Sequence, residues 1–363
     1  MIYILGLPHG KQIAGIESFG KRGKEMTFEK PLAMQRLKYI DFLKFIGLTG
    51  IIIAHVSPPA WLMSARNFDV PFMVILSSIL AEKAFAKYTE NQHAYTNYFW
   101  SRVKRLVIPT WIFLGIYFVI YFAFTGTLFD LKYYIASFFL TRYGIGYVWI
   151  ILIYLYSALL VPFFCKIKLS KYGVFLIFFA YILYEIAYYF QIGVESKFVE
   201  TTFYYIVPYG LLTYLGYNYF HMKKRQRFWI TVTALFLFIG CGIYYAIQTG
   251  QWQSPQIAKY PPRSYYLAFG IGISFLLLLL FEEKHFKMFD NRIICFISKH
   301  SMWIYLWHIL ILTVYSYLDL PMLWYVKLPI VYIGATLTVY IVNTVLDLIE
   351  KKKKINFFNY FRG

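Results

Sequence analysis

The chain has 363 residues, of which 60% are apolar, 22% aromatic and only 15% charged, and its mean hydropathy is +0.55. So little polar sequence excludes a sizeable soluble domain and indicates an all-α, polytopic transmembrane helix bundle. The net charge of +19 would suit nucleic acid, but no soluble basic domain carries it, so membrane lipid rather than nucleic acid is the expected surrounding.

Ten apolar stretches occur, at 38–57, 68–86, 103–124, 146–164, 172–190, 203–220, 228–247, 264–281, 298–316 and 328–349. Each approaches the ~20 residues needed to cross a bilayer. With the flanks assigned alternately to two sides, the side holding both termini carries about 29 of the Lys and Arg residues and the other about 7, which makes both termini cytoplasmic by the positive-inside rule. Cys165, Cys241 and Cys295 have no paired spacing and indicate neither a disulfide nor a metal site. The chain therefore divides into a basic extension at 1–35, a ten-span membrane domain at 36–350 and a basic cytoplasmic tail at 351–363. Met26 and Met34 are alternative starts, so the extension reads either as upstream of the true chain or as a disordered arm.

The first span runs from Ile40 to His55 and carries Asp41, Lys44 and His55. Lys44 and His55 share one helix face and lie about 16 Å apart along the axis. A cation near one surface and an imidazole deeper in are expensive in lipid, and such residues are functional candidates by default. Pro58 and Pro59 end this helix, and Trp61 is placed to anchor at the interface. Ser77 and Ser78 in the second span suit close helix packing better than nucleophilic chemistry, because no Gly-x-Ser-x-Gly context surrounds them.

Arg102 and Arg105 open the third span three residues apart on one face. They read either as cations snorkelling at a helix end or as a phosphate clamp. Residues 127–145 read as an external loop with a short amphipathic piece at Leu131–Leu140. Glu185, deep in the fifth span, must be protonated, paired or wet, and the sequence names no partner for it. The loop at 248–263 ends with Tyr260-Pro261-Pro262 before the eighth span. The ninth carries Ser301 and an intramembrane His308, which reads as a hydrogen-bonded structural histidine or as a functional one. No Walker loop, dinucleotide glycine pattern or His-x-x-x-His pair occurs, so no metal and no permanently bound cofactor are expected.

Together these residues resemble the acyltransferase-3 family, the multi-span membrane acyltransferases of bacterial surface glycans, over roughly Arg36 to Val342. Asp41, Lys44 and His55 match the family's first-span pattern of Asp, a basic residue and His, with Lys44 where Arg is usual. That exchange removes the bidentate phosphate contact an Arg would make. Val70 to Ser78 resembles the second-span segment that usually ends Ser-Gly. Arg102, Arg105 and Pro109 match the basic opening of the third span, Pro261-Pro262 the Pro-Pro entry, and Ser301 to His308 the late Ser-x-x-Ile-Tyr-Leu-x-His segment.

The resemblance implies a multi-pass protein of a bacterial cytoplasmic membrane. It implies transfer of an acyl group, acetyl first among them, from cytoplasmic acyl-CoA to a hydroxyl of a surface polysaccharide or lipid-linked glycan. Many relatives carry an additional extracytoplasmic hydrolase-like domain, and a chain ending at Gly363 looks like a stand-alone member. In this reading Lys44, Arg102 and Arg105 hold the CoA phosphates, and His55 is the catalytic base or, alternatively, the acyl carrier. Asp41 orients the nearby cations, and Ser301 and His308 are pocket residues without an assigned role. Two other classes stay open: a proton-coupled transporter or flippase using His55 and Glu185, and a structural subunit of a glycan-synthesis complex. A homo-oligomer also remains open.

Overall fold

The computed structural model describes residues 38–352 except 91, 283–288 and 290. The 1–35 extension and the tail from 353 onward lie outside the described residues. Every described helix belongs to one unit, Leu37–Gly363.

The first seven helices are α1 (Lys38–Ala54), α2 (Ala60–Ala65), α3 (Asp69–Ala86), α4 (Ala94–Thr125), α5 (Leu131–Phe138), α6 (Trp149–Ile167) and α7 (Lys171–Tyr189). They are followed by α8 (Lys197–Thr201), α9 (Phe203–Tyr217), α10 (Lys224–Thr249), α11 (Ser264–Phe281), α12 (Arg292–Lys299), α13 (Ser301–Tyr317) and α14 (Trp324–Lys352). Local chemistry sets several ends. Gly126 and Gly250 take left-handed conformations that close α4 and α10. Ser170 caps α7 by accepting the Gly173 N–H. Among the described residues there is no strand, only a bridge between Lys259 and Pro262.

Each of the ten apolar stretches lies on a helix, but they are not equivalent. Among the described residues α4, α6 with its short lead from Gly146, α7, α10, α11 and α14 are long and apolar enough to cross a membrane. A seventh crossing arises if α12 and α13, bent by 80° at their junction, form one broken span. The stretch at 298–316 is thus not one straight helix: α12 ends at Lys299 and α13 starts at Ser301. Three helices fall short of the requirement. The helix α1 has 17 residues and α9 has 15, while the 18 of α3 include Asp69, Glu82 and Lys83. All three are largely buried by their neighbours, so protein rather than lipid surrounds their backbone.

The centre of the bundle is α3, packed against α1, α6, α9 and α11. Small residues bring the backbones together. A methyl group at Gly50 would meet Asp69 Cβ at 3.1 Å, and one at Gly216 would meet the Ile75 carbonyl oxygen at 2.5 Å. The periphery is the reverse: α7, α10 and α14 present exposed apolar faces that include Phe175, Phe236 and Ile333. A sidedness follows for the site. The C-terminal end of α1, the α2 turn, residues 145–150 and the 254–260 loop converge at one end of the bundle.

Candidate active site

The convergence encloses a cavity of about 180 Å³. Its wall includes Ala54 and His55 from α1, Met63, Arg66 and Asp69 from the α2–α3 connection, and Trp149 from α6. Gln256, Lys259 and Tyr260 close it from the loop before α11, and Tyr305 from α13.

His55 sits one residue beyond the last turn of α1, its N–H bonded to the Ile52 carbonyl at 3.0 Å. The cavity side of this half-buried ring is set by two aromatic neighbours. Tyr147 meets it edge-on at 4.8 Å between centroids, and His308 stacks on it at 5.1 Å. His55 Nδ1 and His308 Nε2 are 2.9 Å apart. His308 is fully buried, and its Nδ1 contacts the Tyr305 backbone carbonyl. The Tyr305 hydroxyl in turn donates to the Tyr147 carbonyl.

One proton arrangement satisfies this chain. A carbonyl oxygen only accepts, so His308 Nδ1 carries the hydrogen, and its Nε2, in the neutral ring, is an acceptor. His55 Nδ1 must then donate, which leaves the His55 Nε2 lone pair without a hydrogen. No described residue hydrogen-bonds to that nitrogen. The pair therefore presents an oriented base at the cavity wall. His308 can also accept from an imidazolium on His55, so a proton taken by His55 keeps its partner. In outline a neutral histidine fills the place that a carboxylate fills behind a catalytic histidine.

The opposite wall is ionic. Arg66 Nη1 donates to Asp69 Oδ2 at 2.7 Å, with both side chains nearly sealed from solvent. Asp69 Oδ1 accepts the Val70 N–H at 2.7 Å. Arg66 Nη2 reaches Gln256 Oε1 at 3.4 Å, and Asn67 Nδ2 reaches Ser254 Oγ at 3.3 Å, which stitches the α2 turn to the 254–260 loop. Lys259 is 5% exposed. Burial pulls its ammonium down to about 8, with Asp69 opposing and Arg66 adding to the shift.

The other residues singled out in the sequence are dispersed. Asp41 accepts from Ser298 Oγ at 2.7 Å near the far end of α1, joining α1 to α12. Lys44 is half-buried on α1. Arg102 lies over the Tyr98 ring of its own helix at 5.1 Å, and Arg105 is exposed. Ser77 is half-buried on α3, and Ser301 opens α13 two turns before His308. Glu185 does have partners: the Ser264 N–H at 2.8 Å, Ser264 Oγ at 2.6 Å, the Tyr181 hydroxyl at 2.7 Å and Arg263 Nε at 3.2 Å. It is a separate cluster that fastens α7 to the start of α11.

Sequence reasoning missed Arg66, Asp69, Lys259, Tyr147 and Tyr305. A signal for two of them was present. In the ten-span reading of the sequence, Arg66 and Lys259 are among the few cations assigned to the cation-poor side, where each needs a partner or a task.

The acyltransferase-3 family model, described as an acyltransferase domain, matches residues 37–348. No curated protein matches the chain, and no solved structure does.

Proposed function

From the premise that this chain belongs to the acyltransferase-3 family, we propose that it is a membrane O-acyltransferase acting through His55. It moves an acyl group, acetyl first among them, from acyl-CoA to a hydroxyl of a cell-surface polysaccharide or lipid-linked glycan, in a bacterial cytoplasmic membrane with both termini cytoplasmic. The observation that carries the reading is the His55–His308 pair, 2.9 Å apart at the wall of a cavity.

The steps balance without a metal or a redox partner. The acceptor hydroxyl donates its hydrogen bond to His55 Nε2 and is aligned for attack. As its oxygen bonds to the thioester carbonyl carbon, its proton passes to His55, and His308 Nε2 accepts from the imidazolium formed. Collapse of the tetrahedral intermediate breaks the carbon–sulfur bond. His55 returns the proton to the thiolate, giving an ester and free CoA thiol. In the covalent variant, His55 Nε2 itself attacks the thioester and passes the acyl group on.

The CoA phosphates stay at the mouth opposite this cavity, because burying their charge in lipid is prohibitive. Lys44, Arg102 and Arg105 hold them there. Support comes from the exposure of Arg105 and from Arg102 Nε, which is buried without a partner among the described residues. Lys44 on α1 and His55 just past its end are 11 positions apart, which puts the phosphate end and the base about 16 Å apart by helix rise, a span for the slim pantetheine arm.

The test uses membrane vesicles holding wild type or His55→Ala at matched folded levels, acyl-labelled acetyl-CoA on the cytoplasmic face and the host glycan. Label on glycan with release of free thiol, present in wild type and absent in the variant, supports the proposal. Equal labelling by both removes His55 from the chemistry. Absence of label and thiol in both, with donor and acceptor verified, favours a transporter of the glycan intermediate.

A further inference from the structure

The cavity wall facing His55 carries more positive charge than its own acid can match. Asp69, the one carboxylate lining it among the described residues, has both oxygens taken, Oδ2 by Arg66 and Oδ1 by the Val70 N–H. Lys259 is 5% exposed and lines the same cavity. No hydrogen bond or ion pair joins its Nζ to a described residue. Its neighbours are the ring faces of Tyr260 at 5.4 Å and Tyr266 at 5.9 Å. Behind it, Arg66 Nε is buried and has no partner among the described residues. Two cations thus share one anion in a desolvated wall, an arrangement that costs free energy until a further anion arrives.

We propose that Lys259, backed by Arg66, is a seat for a carboxylate carried by one of the two substrates of the acyl transfer. The inference rests on the acyl-transfer reading of this cavity. A volume of about 180 Å³ is below the roughly 300–1,000 Å³ of a pocket that takes a whole drug-sized ligand. That is room for an acyl group or the edge of one sugar, not for a whole glycan. The transient oxyanion of the tetrahedral intermediate would leave the ammonium unmatched whenever substrate is bound but not reacting. A carboxylate on the substrate matches it throughout. The same chemistry has two sources: the free end of a dicarboxylic acyl group on the donor, or a uronic-acid group on the acceptor.

Thermal unfolding of the purified full chain in detergent tests this without requiring turnover. The probes are two matched pairs: succinyl-CoA against acetyl-CoA, and methyl glucuronide against methyl glucoside. Within each pair the rest of the molecule is shared, so CoA phosphate binding cancels. In wild type at about pH 7, the charged member of one pair binds about tenfold or more tighter than the neutral one, the scale of one charge-assisted hydrogen bond. The pair that separates names the source. Lys259→Met brings that pair to within about twofold, whereas Lys259→Arg keeps most of the difference.

Equal binding within both pairs overturns the seat, as does a separation that survives in Lys259→Met. Equal loss of turnover on charged and neutral substrates, with binding unchanged, would also overturn it and assign Lys259 to the oxyanion. If Lys259→Met does not fold, wild type at about pH 9.5 serves as the uncharged state. Failure of acyl transfer itself would leave these binding differences in place, so the two proposals fail separately.

Discussion

Two clusters of ionisable groups lie toward the same end of the bundle, and they are built in opposite ways. Around Glu185, each carboxylate oxygen is bonded: Oε1 accepts from Tyr181, the Ser264 N–H and Ser264 Oγ, and Oε2 from Arg263 Nε. Arg263 also lies 4.1 Å over the Tyr188 ring. Around His55 the bonding stops one group short. The His55–His308–Tyr305 chain terminates in a lone pair at the cavity, and Lys259 faces the same space without a carboxylate of its own. A satisfied cluster holds helices together, whereas one with groups left over in a cavity can bind and react. Burial and unusual position marked Glu185 and His55 alike. Only the completeness of their bonding separates them.

The two clusters should differ most at His55. His55→Ala lowers turnover by roughly 10³-fold or more, with little change in thermal stability, because general-base and nucleophilic roles carry factors of this size. Turnover near the wild-type level would remove the distinction between the clusters. His308→Ala is the next largest expected effect. With no acceptor behind it, His55 loses its fixed tautomer and the partner of its imidazolium, and turnover falls about 10²-fold while KM for acyl-CoA stays within about threefold.

Glu185→Ala should show the opposite pattern. It strips Ser264, Tyr181 and Arg263 of their acceptor and destabilises the fold by about 1–3 kcal/mol. Turnover per folded molecule holds, which thermal unfolding combined with activity at matched folded concentration reads directly.

The smallest effect is a pH dependence. Lys259, pulled down to about 8, is cationic below that pH and neutral above it. Carboxylate preference is therefore full at neutral pH and declines as pH rises through about 8, well below the ordinary lysine range. The charged and titratable groups around Lys259 are Arg66, Asp69, His55, Tyr260, Tyr266 and Tyr305. Burial pushes the Tyr260 hydroxyl up to about 12, so it stays neutral while the lysine titrates. A preference that persists unchanged to about pH 9.5 would place the recognition on Arg66 instead.

Much of the helical framework was legible in the sequence, because long apolar runs dictate it. The stretch at 264–281 coincides with α11 and that at 172–190 lies within a residue of α7. The first span, read as 38–57, stops as a helix at Ala54, and a further short helix, α2, follows Pro59 before the second span. That short helix is what turns Arg66 into the cavity. The break between α12 and α13 was equally hidden, since both sides of His300 are compatible with helix and the bend depends on α12 packing against α1.

The site was half visible. His55 and His308 each stood out as an intramembrane histidine, but 253 residues separate them and no periodicity relates two different helices. Their pairing comes from α1 and α13 packing together, and the counter-wall from two loops stitched by Arg66–Gln256 and Asn67–Ser254. Loop contacts of that kind leave no pattern in a single chain.

His308 acts on the reaction through His55. A double-mutant cycle on turnover tests it most directly, comparing wild type, His55→Ala, His308→Ala and the double variant in vesicles at matched folded levels. Removing His308 should cost about 10²-fold when His55 is present and nothing further once His55 is gone. Independent losses that multiply in the double variant would contradict it.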